Sequence, residues 1–116
     1  MSDPGFDGLL DDAFAAVAAE QPLVNAVTNE VTVNDVANVT LHWGGLPVMS
    51  GDPREVEDMA GAASGLLLNM GTVDEDEDEM IAAGRAANET GAPVAFDPVG
   101  VGSTPTRDAV AERILE

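Results

Sequence analysis

A chain of 116 residues is sized for one domain, here taken as residues 1–116, with room for a modest core. Its four basic residues, all Arg, stand against 22 acidic ones for a net charge of −18. That charge repels phosphate backbones and anionic lipid, which argues against direct nucleic-acid or membrane-surface binding. The absence of Cys excludes disulfides and thiolate metal sites within this chain.

The carboxylates run from Asp3 to Glu116 and interleave with regular apolar patterns. An acidic tail would gather them in one block. The scatter points instead to a folded surface adapted to high salt, where the Debye length falls to about 3 Å at 1 M. Aromatics make up only 3% of the chain, so the core must be built from Ala, Val, Leu and Met. The N-terminus lacks a basic and then apolar signal pattern, and no apolar run approaches the roughly 20 residues of a membrane span. A cytoplasmic location is expected.

The first element is a helix from Pro4 to Glu20, with Phe6, Leu9, Leu10, Ala13, Phe14 and Val17 at helical spacing. Pro22 ends it, and Leu23 to Val27 reads as a buried strand. A second helix carries Val33, Val36, Ala37, Thr40 and Leu41 on one stripe and stops at Gly44 and Gly45. His42, beside Trp43 at its end, has no partner at motif spacing and reads as structural. Leu46 to Met49 is a short extended stretch. Asp52-Pro53-Arg54-Glu55 opens a third helix, with Asp52 as cap, Pro53 in the first turn and Glu55 at the capping-box position. Gly65 to Asn69 is the clearest strand, apolar on both faces. A fourth helix is expected from about Asp74 to Glu89. Its acidic start suits the helix dipole and lacks the alternating ligands and central Gly of a calcium loop. Val94 to Phe96 is the next strand, closed by Asp97. Thr104-Pro105 begins a last helix that runs to Glu116 with no terminating residue, as in an incomplete chain. Strands alternating with helices imply an α/β fold: a mainly parallel sheet with helices on both faces and right-handed crossovers.

In such a sheet a ligand lies beyond the carboxyl ends of the strands. Four segments fall there. Asn29, Asn34 and Asn38 follow the first strand, and Asn29 can cap the next helix or hydrogen-bond a small polar ligand. Met49 can pack in the core or form the apolar wall of a pocket for a sulfur-containing ring. Asn69-Met70-Gly71-Thr72 can simply be a turn with Thr72 capping the next helix. Asp97 ends an apolar strand where a carboxylate is costly unless paired, so it is either structural or orients a hydrated Mg²⁺. Gly100 and Gly102 follow it, but no Gly-Lys-Ser/Thr does, so this is not a P-loop.

Taken in order, Pro22-Leu23-Val24, Thr28-Asn29, Asn34, Ala37-Asn38, Pro47-Val48-Met49, Glu55 to Met59, Leu68 to Thr72, Gly91-Ala92-Pro93-Val94 and Asp97 to Arg107 resemble the hydroxyethylthiazole kinase family of thiamine biosynthesis. No single motif is diagnostic; their order and spacing are. The resemblance implies a ribokinase-like fold and ATP-dependent phosphorylation of 4-methyl-5-(2-hydroxyethyl)thiazole with Mg²⁺. It implies trimers that share the pocket between subunits. Carried over, Asn29, Val31 and Met49 would contact the thiazole, Gly71 and Thr72 would line the pocket, and Asp97 would act indirectly on Mg²⁺. Two positions depart from the pattern: Asn25, where the family often has His or Gln, and Gly45-Leu46. The family's Arg-Gly-Asn segment, Gly-rich anion hole and catalytic Cys base are expected beyond Glu116. No catalytic residue is therefore assigned here, and the chain is expected to be the N-terminal, substrate-side portion, with little activity alone. Two other readings stay open: a non-catalytic thiazole-binding or subunit-interaction piece, and a ribokinase-like kinase of another small alcohol.

The acidic surface carries its own test. Screening of self-repulsion should raise the melting temperature between dilute buffer and molar KCl. A melting curve that does not move would reject the salt-adapted reading.

Overall fold

A computed structural model describes residues 4–71 and 77–116. The elements are α1 (Pro4–Glu20), β1 (Leu23–Val27), α2 (Val33–His42), β2 (Leu46–Val48), α3 (Val56–Ala62), β3 (Gly65–Asn69), α4 (Glu77–Thr90), β4 (Val94–Asp97) and α5 (Pro105–Leu115). The strands form one sheet in the order β2-β1-β3-β4, and every neighbouring pair is parallel. The expected mainly parallel α/β architecture is thus present.

The register sorts the side chains by face. Asn25 aligns with Val48 and Leu66, Val27 with Leu68, and Leu68 with Phe96. Registered partners share a face, so Val27, Leu66 and Leu68 point the same way. There they meet Val56 and Ala60 of α3, Met80, Ala83 and Ala87 of α4, and Ala111 of α5 in one buried cluster. Ala60, Ala83 and Ala87 are fully buried. Small side chains at these positions let α3 and α4 come close to each other and to the sheet.

Connection direction explains the second layer. The path from β1 to β2 steps one way across the sheet; the paths from β2 to β3 and from β3 to β4 step the other way. Right-handed crossovers then place α2 on the face opposite α3 and α4. Ala26 is buried on that face, while Leu67 is only half-buried and Ala95 is exposed. The expectation that β3 is apolar-buried on both faces therefore holds for one face only. The outer edge of β4 pairs with no strand among the described residues.

Three further expectations change in detail. The α1 stripe forms on schedule, but Phe6, Leu9, Leu10 and Phe14 remain exposed, at 40–68%. Phe14 meets Trp43 in an edge-on pair with centroids 4.9 Å apart. The third helix begins at Val56, not at Pro53. The Asp52 carbonyl accepts from both Glu55 and Val56 N–H, making a turn first. Glu55 makes no capping-box bond, because its carboxylate accepts the Ser50 hydroxyl at 2.8 Å. The expected onset of the fourth helix at Asp74 lies outside the described residues. Its Glu77 and Asp78 are paired with Arg113 of α5, which pins the two helices together.

The alanine-lined layer gives a stability prediction. Ala83→Leu adds volume to a helix–sheet contact with no space for it, so it should destabilise the fold by about 1–3 kcal/mol. Urea denaturation in molar KCl measures this; an unchanged midpoint would mean that the α4 layer is loosely packed.

Candidate functional site

Because all four strands run parallel, their C-terminal ends lie on one edge of the sheet. Met49 follows β2, Asn29 lies two residues past β1, Asn69 ends β3 and Asp97 ends β4. Neighbouring strands sit about 4.8 Å apart, so these residues form a row across the edge. Asn69 and Asp97 are direct register partners.

The centre of the row is held by side-chain amides. Asn29 is 6% exposed. Its Oδ1 accepts from Val31 N–H at 3.0 Å and Thr32 N–H at 3.3 Å, which folds the loop ahead of α2. Its Nδ2 donates to Asn69 Oδ1 at 3.3 Å. The same Asn69 oxygen accepts from Gly71 N–H at 2.9 Å. Gly71 has φ +34°, and a Cβ there would lie 1.9 Å from Asn29 Nδ2. Only Gly fits against the amide. The two Asn residues thus lock the β1 and β3 ends together.

The flanks are also tied down. Arg107 Nη1 donates to the carbonyls of Gly71 at 2.7 Å and Val99 at 2.6 Å, joining the turn after β3 to the loop after β4. Thr104 caps α5 by accepting from Arg107 N–H at 3.1 Å. On the other flank, fully buried Asn25 accepts from Ser50 N–H at 3.2 Å, fixing the backbone next to Met49. Asn25 Nδ2 has no partner among the described residues. Asp52, just beyond, is held at a pKa of about 2, chiefly by the Arg54 side chain and also by its backbone N–H. Its folded pKa is depressed, so the pair contributes above about pH 4 and is lost as pH falls towards 2.

All but one of the residues singled out from the sequence have a definite place. Asn29 is buried and bonded, Met49 is half-buried after β2, and Gly71 adjoins Asn29. Val31 is on the rim, 76% exposed. Asp97 is exposed, and its carboxylate has no hydrogen bond or ion pair among the described residues. Thr72 lies outside the described residues. Asn34 and Asn38 are exposed on α2, and His42 is exposed at its end. Gly45 is buried at the α2–β2 turn, where its N–H bonds the Thr40 carbonyl. A hollow of about 620 Å³ between α4, α5 and β4 includes none of the row residues in its walls.

Sequence reasoning placed Asn69 in a strand-end turn and Arg107 in a family-like stretch but found the role of neither. Asn69 acts as the partner of Asn29; a polar residue closing an apolar strand is the same signal that singled out Asp97. Arg107 bridges two loops. It is a rare cation in an acidic chain, set in the first turn of a helix where the dipole disfavours it, and that placement could have marked it.

Comparison with known proteins gives the family of the chain. The model of the Hydroxyethylthiazole kinase family matches residues 14–116. A hydroxyethylthiazole kinase of Natronomonas pharaonis is 61% identical over 117 residues, covering 100% of this chain and 42% of that protein. Another, from Haloquadratum walsbyi, is 57% identical over 103 residues, covering 88% of this chain and 36% of that protein. Both relatives are halophilic, in line with the acidic surface. The solved structure of the hydroxyethylthiazole kinase protein from Pyrococcus horikoshii OT3 superposes with a TM-score of 0.88 at 38% identity, over 93% of this chain and 43% of that one. The chain thus spans about two fifths of the length of these relatives. By sequence and by fold, it belongs to the hydroxyethylthiazole kinase family.

Proposed function

We propose that this chain forms the substrate side of an ATP-dependent kinase acting on the hydroxyl of 4-methyl-5-(2-hydroxyethyl)thiazole, in thiamine biosynthesis or salvage. The observation that carries this reading is the row of Met49, Asn29, Gly71 and Asp97 along one sheet edge, with Asn29 clamped at its centre. Family membership supplies the substrate class; the row supplies a place for it.

Met49 offers a polarisable apolar wall to the thiazole ring. Asn29 and Gly71 shape the floor, Val31 contributes from the rim, and the family resemblance assigns Thr72 to the same pocket. An exposed apolar residue at a pocket rim fits a site completed by a neighbouring subunit, in keeping with a homotrimer. The thiazole alcohol and ATP are the proposed partners. At net charge −18, nucleic acid and anionic membrane are not. None of the described helices is long and apolar enough to cross a membrane, and a cytoplasmic location is part of the proposal.

The described residues contain no group of three His, Cys, Asp or Glu able to hold a metal ion. Mg²⁺, however, keeps several waters and takes one or two carboxylates together with substrate phosphates. Asp97, exposed and without a partner among the described residues, fits that role through water. When bound, Mg²⁺ would neutralise charge on the transferring phosphoryl group.

Because the chain spans about two fifths of its relatives, a second reading has support: the 116 residues alone bind thiazole without turning it over. Isothermal calorimetry and an ADP-release assay on the purified chain in molar KCl test the site and the expected inactivity of this chain. The expected result is thiazole binding without ADP release. ADP release that depends on thiazole would overturn the proposed inactivity of this chain; no binding at all would remove the site assignment.

Two variants test the clamp. Asn29→Ala leaves Asn69 and two backbone N–H groups short of partners, and Gly71→Ala drives a methyl into the Asn29 amide. Each should weaken thiazole binding by about tenfold or more, that is about 1.4 kcal/mol. Asp97→Asn should leave thiazole affinity within about twofold, because its role is with phosphate and metal. Equal loss in all three would show that Asp97 also shapes the thiazole pocket.

A further inference from the structure

Arg107 sits in the first turn of α5, at the positive end of the helix dipole, where a cation is disfavoured. Its placement is not explained by ion pairing. Arg54 and Arg113 bind carboxylates, whereas Arg107 has no carboxylate partner among the described residues, in a chain with 22 acids. It makes two bonds from one nitrogen, to Gly71 O and to Val99 O. The stem of the side chain runs over Gly100, which has φ +76°; a Cβ there would lie 2.8 Å from Arg107 Cδ. At the far end, Gly71 is pressed against Asn29. A continuous line of contacts therefore runs from Asn29 through Gly71 and the Arg107 guanidinium to Val99, two residues past Asp97.

We infer that Arg107 is a positioning residue that couples the two strand-end loops, so that a ligand held beside Gly71 also orders the Val99–Ser103 loop. The reason is geometric. Nη1 can hold both carbonyls at these distances only while the two loops keep their present separation, and charge-assisted bonds resist that change more than neutral ones. Movement of Gly71 is then paid by the loop behind Asp97. The ligand half of this inference rests on the thiazole reading above; the loop coupling does not.

Amide hydrogen exchange on the full chain in molar KCl tests it. The reporters are Gly71 N–H, bonded to Asn69 Oδ1, and Val101 and Ser103 N–H, bonded to the carbonyls of Pro98 and Gly100. Leu66 N–H, bonded to the Pro93 carbonyl, reports on the sheet. Arg107→Met keeps an apolar stem and removes the donors. Exchange should rise about tenfold or more at Gly71 and at Val101 and Ser103 together, with Leu66 unchanged. A rise in one loop alone, or in neither, overturns the coupling.

Should Leu66 also lose protection in that variant, Gly100→Ala decides, because it displaces the Arg107 stem and leaves the donors present. It should raise exchange at Gly71, on the other loop; an effect confined to Val101 and Ser103 overturns the inference. Finally, adding 4-methyl-5-(2-hydroxyethyl)thiazole should slow exchange in both loops of the unaltered chain but only at Gly71 in Arg107→Met. Slowing in both loops of the variant overturns the coupling. No slowing in the unaltered chain counts against the thiazole reading alone, since the ligand-free comparison has already tested Arg107.

Discussion

The site depends on one hydrogen-bonded pair, Asn29 Nδ2 to Asn69 Oδ1. Parallel strands deliver their ends to one edge, but they do not fix the loops that follow. Two loops leave β1 and β3 side by side, and each has backbone donors that the sheet no longer satisfies. Asn29 takes two of them and Asn69 a third. A pair of amides is suited to this because each offers both a donor and an acceptor. Asn29 is buried and Asn69 half-buried, so these groups would be costly if unpaired and the loops cannot drift apart cheaply. The tight Gly71 backbone follows from this, since any side chain there would collide with the amide that organises it.

The layer beneath the sheet and the charge above it solve a different problem. Few aromatics and many alanines give a thin core, and α3 and α4 pack closely on one face to fill it. Among the described residues most of the acid is carried on helices, much of it exposed where salt screens it. Asp97, at the edge where the proposed phosphate chemistry would occur, is a carboxylate without a partner among the described residues. The Arg residues are used sparingly as well, two in ion pairs and one as a brace between loops.

Much of this was legible before any coordinates. Strand and helix order followed from apolar runs and from Pro and Gly punctuation, and β1 and β3 fell at Leu23–Val27 and Gly65–Asn69 as expected. The parallel edge then brought Met49, Asn29 and Asp97 to one side. What was not legible depends on pairings across long sequence distances. Nothing local marks Asn69 as the partner of Asn29, 40 residues away, or Arg107 as the partner of Gly71, 36 residues away. The capping box at Glu55 failed for the same reason: a competing partner, Ser50, lies outside the helix pattern. Burial was the other blind spot. The α1 spacing foretold a helix with an apolar stripe, but spacing does not say whether another element covers that stripe.

The uncovered surfaces bear on how far the site can be trusted to form in this chain. Phe6, Leu9 and Phe14 on α1, the outer edge of β4 and the half-open face at Leu67 are all apolar regions without a covering layer among the described residues. Exposed apolar area and an unpaired strand edge favour association and lower stability. Yet none of these regions supplies a bond to the strand-end row. The clamp between Asn29, Asn69 and Gly71, the Ser50 contact of Asn25 and the Arg107 brace all close within residues 25–107. Covering the apolar surfaces would therefore raise the stability of the sheet that carries the row, while the arrangement of the row itself is already set by its own hydrogen bonds.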